Sequence, residues 1–522
     1  GRFDEALKCY EQAKKIDEYV GNKAGLASRL YRIGKVYTAL NRYEKAIEIL
    51  NASRLIAKEL SDEKHFVDTT LEIGEIYFYL GNYNSAMKEV DILKIKIVKT
   101  LSPELEMRFL HLLGKIYMKL NNVGKSYTYL TGSLKVAKKI NDENYILKNL
   151  AAIADVLSGD LKQSNVIKEI TFILDSKKKF LDKIQYLPVK QQIENLFNLS
   201  VLHIALGRWD EGIELLDSCV KLKEQRNISN WEITYLRAVL YQRDKDNKKA
   251  EQYYVKCVNE IEEVQKHLVC WENKERFRNI TRKAYNKLVN ILILNGKAEE
   301  ALTYAELFSS IPDRLFLEKG KYSEEKIDLK KLQKQLKGED LVLKYFCDEE
   351  TNSVFLWTIT KSKIDIHKLD MPYEHIRKKI LKVRNGFLSP SPAMGKEGLR
   401  VERPADWLEI LYEVCIDSYE LYEILLGSIT DKLKHANQLI VIPDGVLSFI
   451  PFESLVIEKP ELKSIKYLVE TIPVSYSPSC FLLTKILEQR HKKAKKEFIE
   501  ELNINPTSRQ AWAKIEEMKN DK

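Results

Sequence analysis

Two stretches of sequence that repeat one another decide the fold. LYRIGKVYTALNRYEKAIEILNASRLIA occupies Leu30–Ala57, and TLEIGEIYFYLGNYNSAMKEVDILKIKIV follows it at Thr70–Val98. The residues that return at one fixed interval are small or large and apolar: Gly34, Gly74 and Gly114; Tyr37, Tyr77 and Tyr117; Leu40, Leu80 and Leu120; Ala6, Ala46 and Ala86. A fixed period of about 34 to 47 residues is typical of stacked helical hairpins. Because the small residues let the helices touch, we predict them at helix contacts within an array of hairpins.

The repeated units resemble tetratricopeptide repeats with long helices, in which each hairpin has a first helix (A) and a second helix (B). A fourth unit has Ala154 and Leu157 in the Gly and Tyr positions, and the turn signature returns at Leu206–Trp209 and Asn295–Lys297. The resemblance implies an α-solenoid, a right-handed superhelix, over residues 1–317. Gly1–Ala6 matches a turn that enters helix B without its helix A. We therefore interpret the chain as a fragment.

The composition indicates a cytoplasmic protein with reduced thiols. The 522 residues are 44% apolar, and no run of about 18 apolar residues predicts a membrane span. The seven cysteines are scattered without a C-x-x-C pair, which argues against a disulfide framework or a zinc site. The net charge of +9 comes from 85 basic and 76 acidic residues that are interleaved, as on solvated helix faces. We expect no membrane, metal or cofactor binding, and nucleic-acid binding is not favoured.

The pattern changes near residue 315 from helical to strand-like. Short segments rich in branched and aromatic residues follow, and QLIVI at Gln438–Ile442 has the apolar run of a buried central strand. The predicted elements are a charged connecting helix at Glu324–Leu336, strands at Leu341–Phe346, Ser353–Thr360, Lys363–Leu369 and Gln438–Ile442, helices at Pro372–Phe387 and Pro404–His435, and a mobile loop at Leu388–Arg400. We predict a connecting segment at 318–340, an incomplete α/β domain at 341–487 and a polar helical tail at 488–522.

A conspicuous motif, IPDGVLSFIPFESL, follows the apolar strand at Ile442–Leu455. In the Pro443-Asp444-Gly445 segment, the Asp side chain can accept bonds from backbone N–H groups, and the Gly can adopt a positive φ. Pro451 and Phe452 are predicted to restart the chain and pin it against the sheet. Because no carboxylate or histidine accompanies Asp444 nearby, we interpret it as a structural residue rather than as an acid or a metal ligand.

This motif resembles that of the CHAT family, the caspase-like cysteine peptidase domains (clan CD) that are found fused to tetratricopeptide repeats. The resemblance covers about Ile327–Leu487 and implies a parent protein that is a partner-regulated cysteine endopeptidase. It also implies a catalytic histidine in a His-Gly strand and a cysteine at the end of a later strand. Here His491 is followed by Lys492, and Cys480 lies at a predicted helix start, about 16 Å of helical rise away. We therefore predict that this chain is inactive as a peptidase and identify no catalytic residue.

Two functional hypotheses remain open. The chain is either part of a repeat-regulated cysteine peptidase or a non-catalytic adaptor, and a His-Gly strand followed by a Cys strand downstream in the gene would select the first. In both, a protein or peptide partner is expected in the concave groove formed by the A helices. The candidate groove residues are Arg32, Lys35, Thr38, Glu72, Glu75 and Phe78. Their mixed charges and an aromatic that we expect to be exposed suit a peptide better than a phosphate backbone.

Overall fold

The computed structural model describes residues 3–96, 102–157, 166–175, 184–225, 230–310, 327–388, 407–461, 464–490 and 493. The chain divides into two compact units, Gly1–Ala284 and Tyr285–Lys522. The predicted solenoid extends to residue 317, whereas this division groups residues 285–317 with the second unit. The domain limits inferred from the sequence remain proposals.

The first unit is a succession of antiparallel helices, as the repeats predict. Its helices are α1 (Phe3–Tyr19), α2 (Lys23–Ala39), α3 (Tyr43–Glu59), α4 (Glu63–Tyr79), α5 (Tyr83–Lys96), α6 (Pro103–Lys119), α7 (Val123–Lys139), α8 (Glu143–Leu157), α9 (Val166–Asp175), α10 (Val189–Ala205), α11 (Trp209–Gln225), α12 (Trp231–Arg243), α13 (Asn247–Lys266) and α14 (Trp271–Leu294), which continues into the second unit. The even-numbered helices of this series correspond to the A helices and the odd-numbered ones to the B helices.

Short polar turns explain why each helix ends where it does. Asn41, Gly81 and Asn121 have positive φ angles of 58°, 75° and 57°. Asparagine and glycine tolerate this left-handed conformation, which ends one helix before the next begins. The side chains of Asp62 and Asn122 accept hydrogen bonds from backbone N–H groups at the starts of α4 and α7. The turn residues of the sequence repeat therefore set the hairpin geometry.

The recurring glycines lie at helix contacts, which confirms the predicted repeat register. A Cβ placed on Gly34 would lie 2.6 Å from Leu50 Cγ, and one placed on Gly114 would lie 2.7 Å from Leu130 Cγ. In both cases the A helix approaches the B helix of its own hairpin too closely for any larger residue. At Gly74 the nearest atom belongs to the next A helix. Apolar side chains from successive hairpins bury one another in clusters along the unit.

The second unit contains a small mixed sheet with helices packed against it. Its strands are β1 (Asp340–Asp348), β2 (Ser353–Ile359), β3 (Ile364–Lys368), β4 (Gln438–Ile442) and β5 (Val474–Tyr476), in the order β3-β2-β1-β4-β5. Strands β1, β2 and β3 form antiparallel pairs, whereas β4 is parallel to both β1 and β5. The helices after α14 are α15 (Ala298–Ser309), α16 (Leu329–Gln335), α17 (Tyr373–Leu388), α18 (Trp407–Leu426), α19 (Thr430–His435) and α20 (480–490).

The strands predicted from the sequence are confirmed, but one predicted helix is divided. The segment expected as one helix over Pro404–His435 is broken at Gly427–Ile429, a short 3-10 turn between α18 and α19. Thr430 Oγ1 donates a 2.8 Å hydrogen bond to the Gly427 carbonyl and stabilises this break. Most of the predicted mobile loop at Leu388–Arg400, the start of the predicted connecting helix at 324–326 and most of the predicted tail lie outside the described residues. Leu388 itself is the last residue of α17 and not part of a loop.

Candidate functional site

A charged cluster joins three successive A helices of the first unit. The Arg108 guanidinium on α6 lies among three carboxylates of α4: Nη2 is 3.1 Å from Glu75 Oε1 and 3.5 Å from Glu72 Oε2, and Nη1 pairs with Asp68. From α2, Lys35 Nζ lies 3.6 Å from Glu72 Oε2. Two cations therefore face three carboxylates, and the cluster keeps a net negative charge while all five groups are ionised.

The period of the sequence repeat explains this arrangement. Residues at the same repeat position stand side by side on neighbouring A helices, and residues three or four apart share one helix face. Asp68, Arg108 and Lys148 occupy one such row, and Lys35, Glu75 and Lys115 occupy another. The exposed sides of α2, α4, α6 and α8 together form what we call the A-helix surface, which carries Tyr31, Lys35, Asp68, Glu72, Glu75, Tyr79, Arg108, His111, Lys115, Tyr145 and Lys148.

Proton affinities on this surface are set by burial and by the cluster. Burial and the neighbouring Glu75 raise the pKa of Glu72 above its usual value. Burial opposes ionisation of Glu75 as well, but Arg108 and Lys148 outweigh it and lower the pKa of that carboxyl. Burial, aided by Lys115, lowers the pKa of His111 to about 3, so that its imidazole is neutral at physiological pH. The surface therefore combines fixed charges with a neutral imidazole that is 2.9 Å from Asn149 Oδ1.

Lys115 lies over aromatic rings on this surface. Its Nζ is 4.5 Å from the ring centre of Phe78 and 5.6 Å from that of Tyr79. Burial lowers the pKa of Lys115, and the charge of Glu232 on α12 partly offsets this effect. Glu232 also contributes to the raised pKa of Tyr79, which burial mainly causes, although the ring keeps 44% of its surface exposed. The charge of Glu232 on α12 therefore influences both Lys115 on α6 and Tyr79 on α4.

The structure brings together some of the predicted groove residues and separates others. Lys35, Glu72 and Glu75 meet in the Arg108 cluster, and Arg32 is exposed on α2. The expectation that Phe78 is an exposed aromatic is wrong.

Phe78 keeps only 9% of its surface exposed, since its ring packs 5.4 Å from that of Tyr83 and beneath Lys115. Thr38 is also buried, and its hydroxyl donates a 3.1 Å hydrogen bond to the Gly34 carbonyl. The exposed aromatic at this end of α4 is the next residue, Tyr79, because the Phe78 side chain packs into the contact between α4 and α5. The charge alternation between Asp68 and Arg108, which occupy the same position in successive repeats, is the signal that could have revealed the rest of the cluster.

The Pro443-Asp444-Gly445 turn fastens the end of β4 to the end of β1. Asp444 Oδ2 accepts a 2.8 Å hydrogen bond from the backbone N–H of Cys347, and the Cys347 thiol donates to the Asp444 carbonyl at 3.4 Å. Gly445 has a φ of 56°, a conformation that favours glycine. The carboxylate is therefore engaged by backbone at the strand end.

Further along the motif, Pro451 and Phe452 hold the chain against the sheet. The Phe452 ring is fully buried, 5.4 Å from the ring of Tyr345 on β1. The Phe452 backbone N–H donates to the Tyr476 hydroxyl at 2.6 Å, and the Pro451 carbonyl accepts from Ser454 N at 3.0 Å. These contacts organise the sheet core.

Cys480 lies at the start of α20, where its thiol is fully buried. Its backbone N–H donates a 2.7 Å hydrogen bond to Glu306 Oε2, and that carboxylate also forms a 3.0 Å ion pair with Lys344. Burial, reinforced by the charge of Glu306, raises the pKa of the thiol well above its usual value. A buried thiol beside a carboxylate is held in its protonated, unreactive form. His491, the histidine nearest in sequence, lies outside the described residues.

In the described parts of the chain, no group of three or more His, Cys, Asp or Glu side chains is arranged to hold a metal ion. The helices of these parts include none with the length and hydropathy needed to cross a membrane.

Comparison with known families finds one match in each part of the chain. Residues 1–59 match the tetratricopeptide repeat family, and residues 417–514 match the CHAT domain. The chain thus combines tetratricopeptide repeats with a CHAT domain segment, as the sequence motifs predict. No protein of curated function matches the chain.

Similar solved structures contain helical repeats. A Rap protein complexed with competence and sporulation factor is 12% identical, with a TM-score of 0.38 over 60% of this chain and 97% of that chain. The apo form of the quorum sensor NprR from B. thuringiensis is 15% identical, with a TM-score of 0.31 over 56% and 76% of the two chains. A signal transduction ATPase with numerous domains and a tetratricopeptide repeat sensor, from Pyrococcus horikoshii, is 16% identical, with a TM-score of 0.32 over 61% and 54%.

Proposed function

We propose that this chain is a protein-binding scaffold in which the A-helix surface receives a peptide segment of a partner, joined to the N-terminal part of a caspase-like CHAT domain. The observation that carries this proposal is the exposed row of charges and tyrosines across α2, α4, α6 and α8. Lys35 and Tyr79 retain 47% and 44% exposure, respectively, whereas Glu72 is buried and the other members of this surface are partly buried. Stacked repeats present such concave surfaces to partners.

The charge balance favours a polypeptide over a nucleic acid. A phosphate backbone requires several uncompensated cations. Here the Arg108 cluster has an excess of carboxylate, and Lys148 is already paired with Glu194 at 2.8 Å. Tyrosine hydroxyls and carboxylates can hydrogen-bond backbone amides and basic side chains of a peptide, and Lys115 over its aromatic pair can receive a carboxylate. A segment with mixed charges fits this surface.

A pair of matched double variants tests the proposal with the full chain. Short linear peptides are selected from a random library on the wild-type protein, and their affinities are measured by fluorescence anisotropy. The inner variant carries Lys35→Glu and Tyr79→Ala. The outer control carries Lys45→Glu and Tyr127→Ala on B helices, where Lys45 has the same 47% exposure and Tyr127 has 36%. We expect the inner variant to weaken binding by about tenfold or more, as loss of a well-packed aromatic implies, and the outer control to bind normally.

Equal losses in both double variants would place the binding surface elsewhere. Selection of peptides that bind only the second unit would overturn the proposal in the same way. Circular dichroism of both variants establishes that neither loses helix, since all four positions are exposed. Phe78 is unsuitable for this purpose because its substitution would disturb the hairpin core.

We further propose that the parent protein is a partner-regulated cysteine endopeptidase and that this chain does not itself cleave proteins. The CHAT match and the caspase-like motif support the first part. The buried, protonated thiol of Cys480 supports the second, since nucleophilic catalysis needs a thiolate with a base in reach. The non-catalytic adaptor remains the alternative, and the A-helix surface supports either one.

Thiol labelling and proteolysis test the second part of this proposal. Cys9 and Cys270 are exposed, whereas the other five cysteines are buried. We expect a maleimide probe to label those two in the native protein and Cys480 only on unfolding. Incubation with casein should give no cleavage. Turnover that disappears in Cys480→Ala, but persists in the control Cys9→Ala, would overturn the claim of inactivity.

A further inference from the structure

The turn before α14 is held by a residue from the start of the first unit. Glu44, near the start of α3, accepts hydrogen bonds from the backbone N–H of Val269 at 2.6 Å and of Cys270 at 2.9 Å. The Asn273 side chain donates a third bond to the same carboxylate at 3.0 Å. These contacts span up to 229 residues of sequence. We call Glu44, Val269, Cys270 and Asn273 the clasp.

A second contact lies beside the clasp, one hairpin further along the chain. Asn82 Nδ2 is 3.3 Å from Glu272 Oε1 and 3.5 Å from Asn273 Oδ1. A Cβ on Gly81 would lie only 2.8 Å from Ile280 Cγ2, so the turn after α4 fits closely against α14. The array of hairpins therefore turns back on itself, and its beginning touches the start of α14.

This closure brings α14 beside the end of α4, where Tyr79 of the A-helix surface lies two residues before Gly81. Glu232 on α12 acts electrostatically on Tyr43, Tyr79 and Tyr83, which belong to the first two hairpins.

The clasp has the character of a reversible contact. It consists of one carboxylate and three N–H donors, and the flanking Val269 and Trp271 side chains are 74% and 50% exposed. Such polar contacts open at a lower free-energy cost than a helix core does, although Asn273 is itself buried and the neighbouring contact between Gly81 and Ile280 must separate as well. Glu44 also satisfies backbone donors just before α14, where a helix start favours negative charge. A carboxylate on α14 itself could accept the same hydrogen bonds. Because Glu44 lies on α3, it also connects the start of α14 to the first hairpins.

We propose that the closed array of hairpins surrounds the A-helix surface and that the clasp is its gate. The gate must open for a partner to enter, unless the partner is an extended segment with a free end that can thread into the closed unit. This inference rests on the function proposed above, since it concerns access to the same surface. The partner class is therefore an unfolded polypeptide segment, and internal segments of a folded partner enter only when the clasp is open.

The clasp is tested in the full chain with Glu44→Gln and a matched control, Glu48→Gln, on the same helix. Glu48 is exposed and pairs locally with Lys45 at 2.8 Å. Hydrogen exchange of the Val269 and Cys270 amides reports opening directly. We expect exchange to rise about tenfold or more in Glu44→Gln, as weakening of charge-assisted hydrogen bonds implies, and to stay unchanged in Glu48→Gln.

Access is tested with one library-selected peptide in two forms. The first form has a free end, and the second carries a ubiquitin domain at each end. We expect the doubly blocked form to bind the wild-type chain at least about tenfold more slowly than the free form, and Glu44→Gln to remove most of that difference by accelerating its opening-limited entry. Asn273→Ala removes one donor of the clasp and should give an intermediate association rate for the blocked peptide. This second variant distinguishes loss of the clasp from a folding defect in Glu44→Gln.

The outcomes separate the gate from the binding function. If the inner variant abolishes binding of the free peptide but Glu44→Gln leaves the blocked form as slow as in wild type, the gate is wrong and the binding surface stands. If the inner variant binds the free peptide normally, the binding surface is wrong and the gate proposal falls with it. Equal acceleration in Glu48→Gln would also refute the gate.

Discussion

A buried ion pair in the second unit provides the most demanding test of the fold. Glu306 on α15 and Lys344 on β1 have side-chain exposures of 0% and 1%, and their Oε1 and Nζ atoms are 3.0 Å apart. Lys344 Nζ also donates to Ser309 Oγ at 3.0 Å. The other carboxylate oxygen, Glu306 Oε2, accepts from the backbone N–H groups of Cys480 at 2.7 Å and Phe481 at 3.3 Å. One carboxylate thus joins α15, β1 and the start of α20.

Replacement of either partner should leave the other charge buried without its counter-ion. We expect Glu306→Gln and Lys344→Met each to lower the free energy of unfolding of the second unit by about 3 to 5 kcal/mol. This is a large fraction of the about 5 to 15 kcal/mol that stabilises a typical domain. In Glu306→Gln/Lys344→Met both charges are absent, and the Gln carbonyl can still accept from Cys480. The double variant should therefore lose far less than the sum of the single losses.

Native-state hydrogen exchange of β1 and β2 amides in the full chain measures the effect in the second unit alone. Trp357 on β2 is fully buried and supplies a fluorescence signal during urea unfolding. A loss below about 1 kcal/mol in Glu306→Gln would show that Lys344 is not a desolvated cation, since an exposed pair contributes about that much. Additive losses in the double variant would show that the two charges do not interact. Either result would refute the reasoning.

Two predictions concern the first unit. Gly114→Ala should lower the free energy of unfolding by about 1 to 3 kcal/mol in urea melts, because its Cβ would lie 2.7 Å from Leu130 Cγ. The control Gly124→Ala, with no atom within 4 Å of its Cβ, should be neutral or stabilising by up to about 1 kcal/mol. Equal effects of the two substitutions would contradict the helix contact at Gly114. Because burial lowers the pKa of His111 to about 3 in the folded protein, the unfolded chain binds a proton first as the pH falls below about 6.5. The stability of wild type should therefore fall between pH 6.5 and 3, by up to about 1.4 kcal/mol per pH unit, and His111→Gln, which can still bond Asn149, should show a flatter profile.

The sequence predicted the elements whose residues act locally. Gly34 and Gly114 lie where two helices touch closely, so the period of these glycines reveals the hairpins without any knowledge of distant contacts. The run at Gln438–Ile442 has apolar residues on both faces, a pattern typical of a strand that is covered on both sides of its sheet. The break at Gly427 was missed because a single glycine inside a helical pattern lowers helix stability by only about 1 kcal/mol. Whether the helix breaks at Gly427 is decided by tertiary packing, which a local sequence pattern does not reveal.

The candidate site was predicted only in part because it depends on orientation and on distant partners. Lys35 and Glu75 were found from their place on the A helices, but the sequence did not show that Phe78 is buried and that its neighbour Tyr79 is exposed. The contact between Glu44 and Val269 joins positions far apart in the sequence, and no local pattern marks it. The partner of Glu306 is equally remote, since a single buried lysine within β1 gives no indication of which helix supplies its counter-ion.

The charge pattern of the A-helix surface would also limit how tightly this surface holds the proposed partner. Arg108 is already surrounded by carboxylates, so a partner carboxylate must displace one of them, and a partner cation must compete with Arg108 for Glu75. Such an exchange of ion pairs contributes much less to the free energy of binding than the formation of a new ion pair in a desolvated site. Most of the affinity must then come from aromatic contacts at Tyr79 and from backbone hydrogen bonds, which do not depend strongly on the partner's sequence. Complementary charge on the partner would mainly set its register and its rate of association. A surface of this kind favours reversible capture of a flexible segment, and the clasp at Glu44 can lengthen the lifetime of a complex that the surface alone would release quickly.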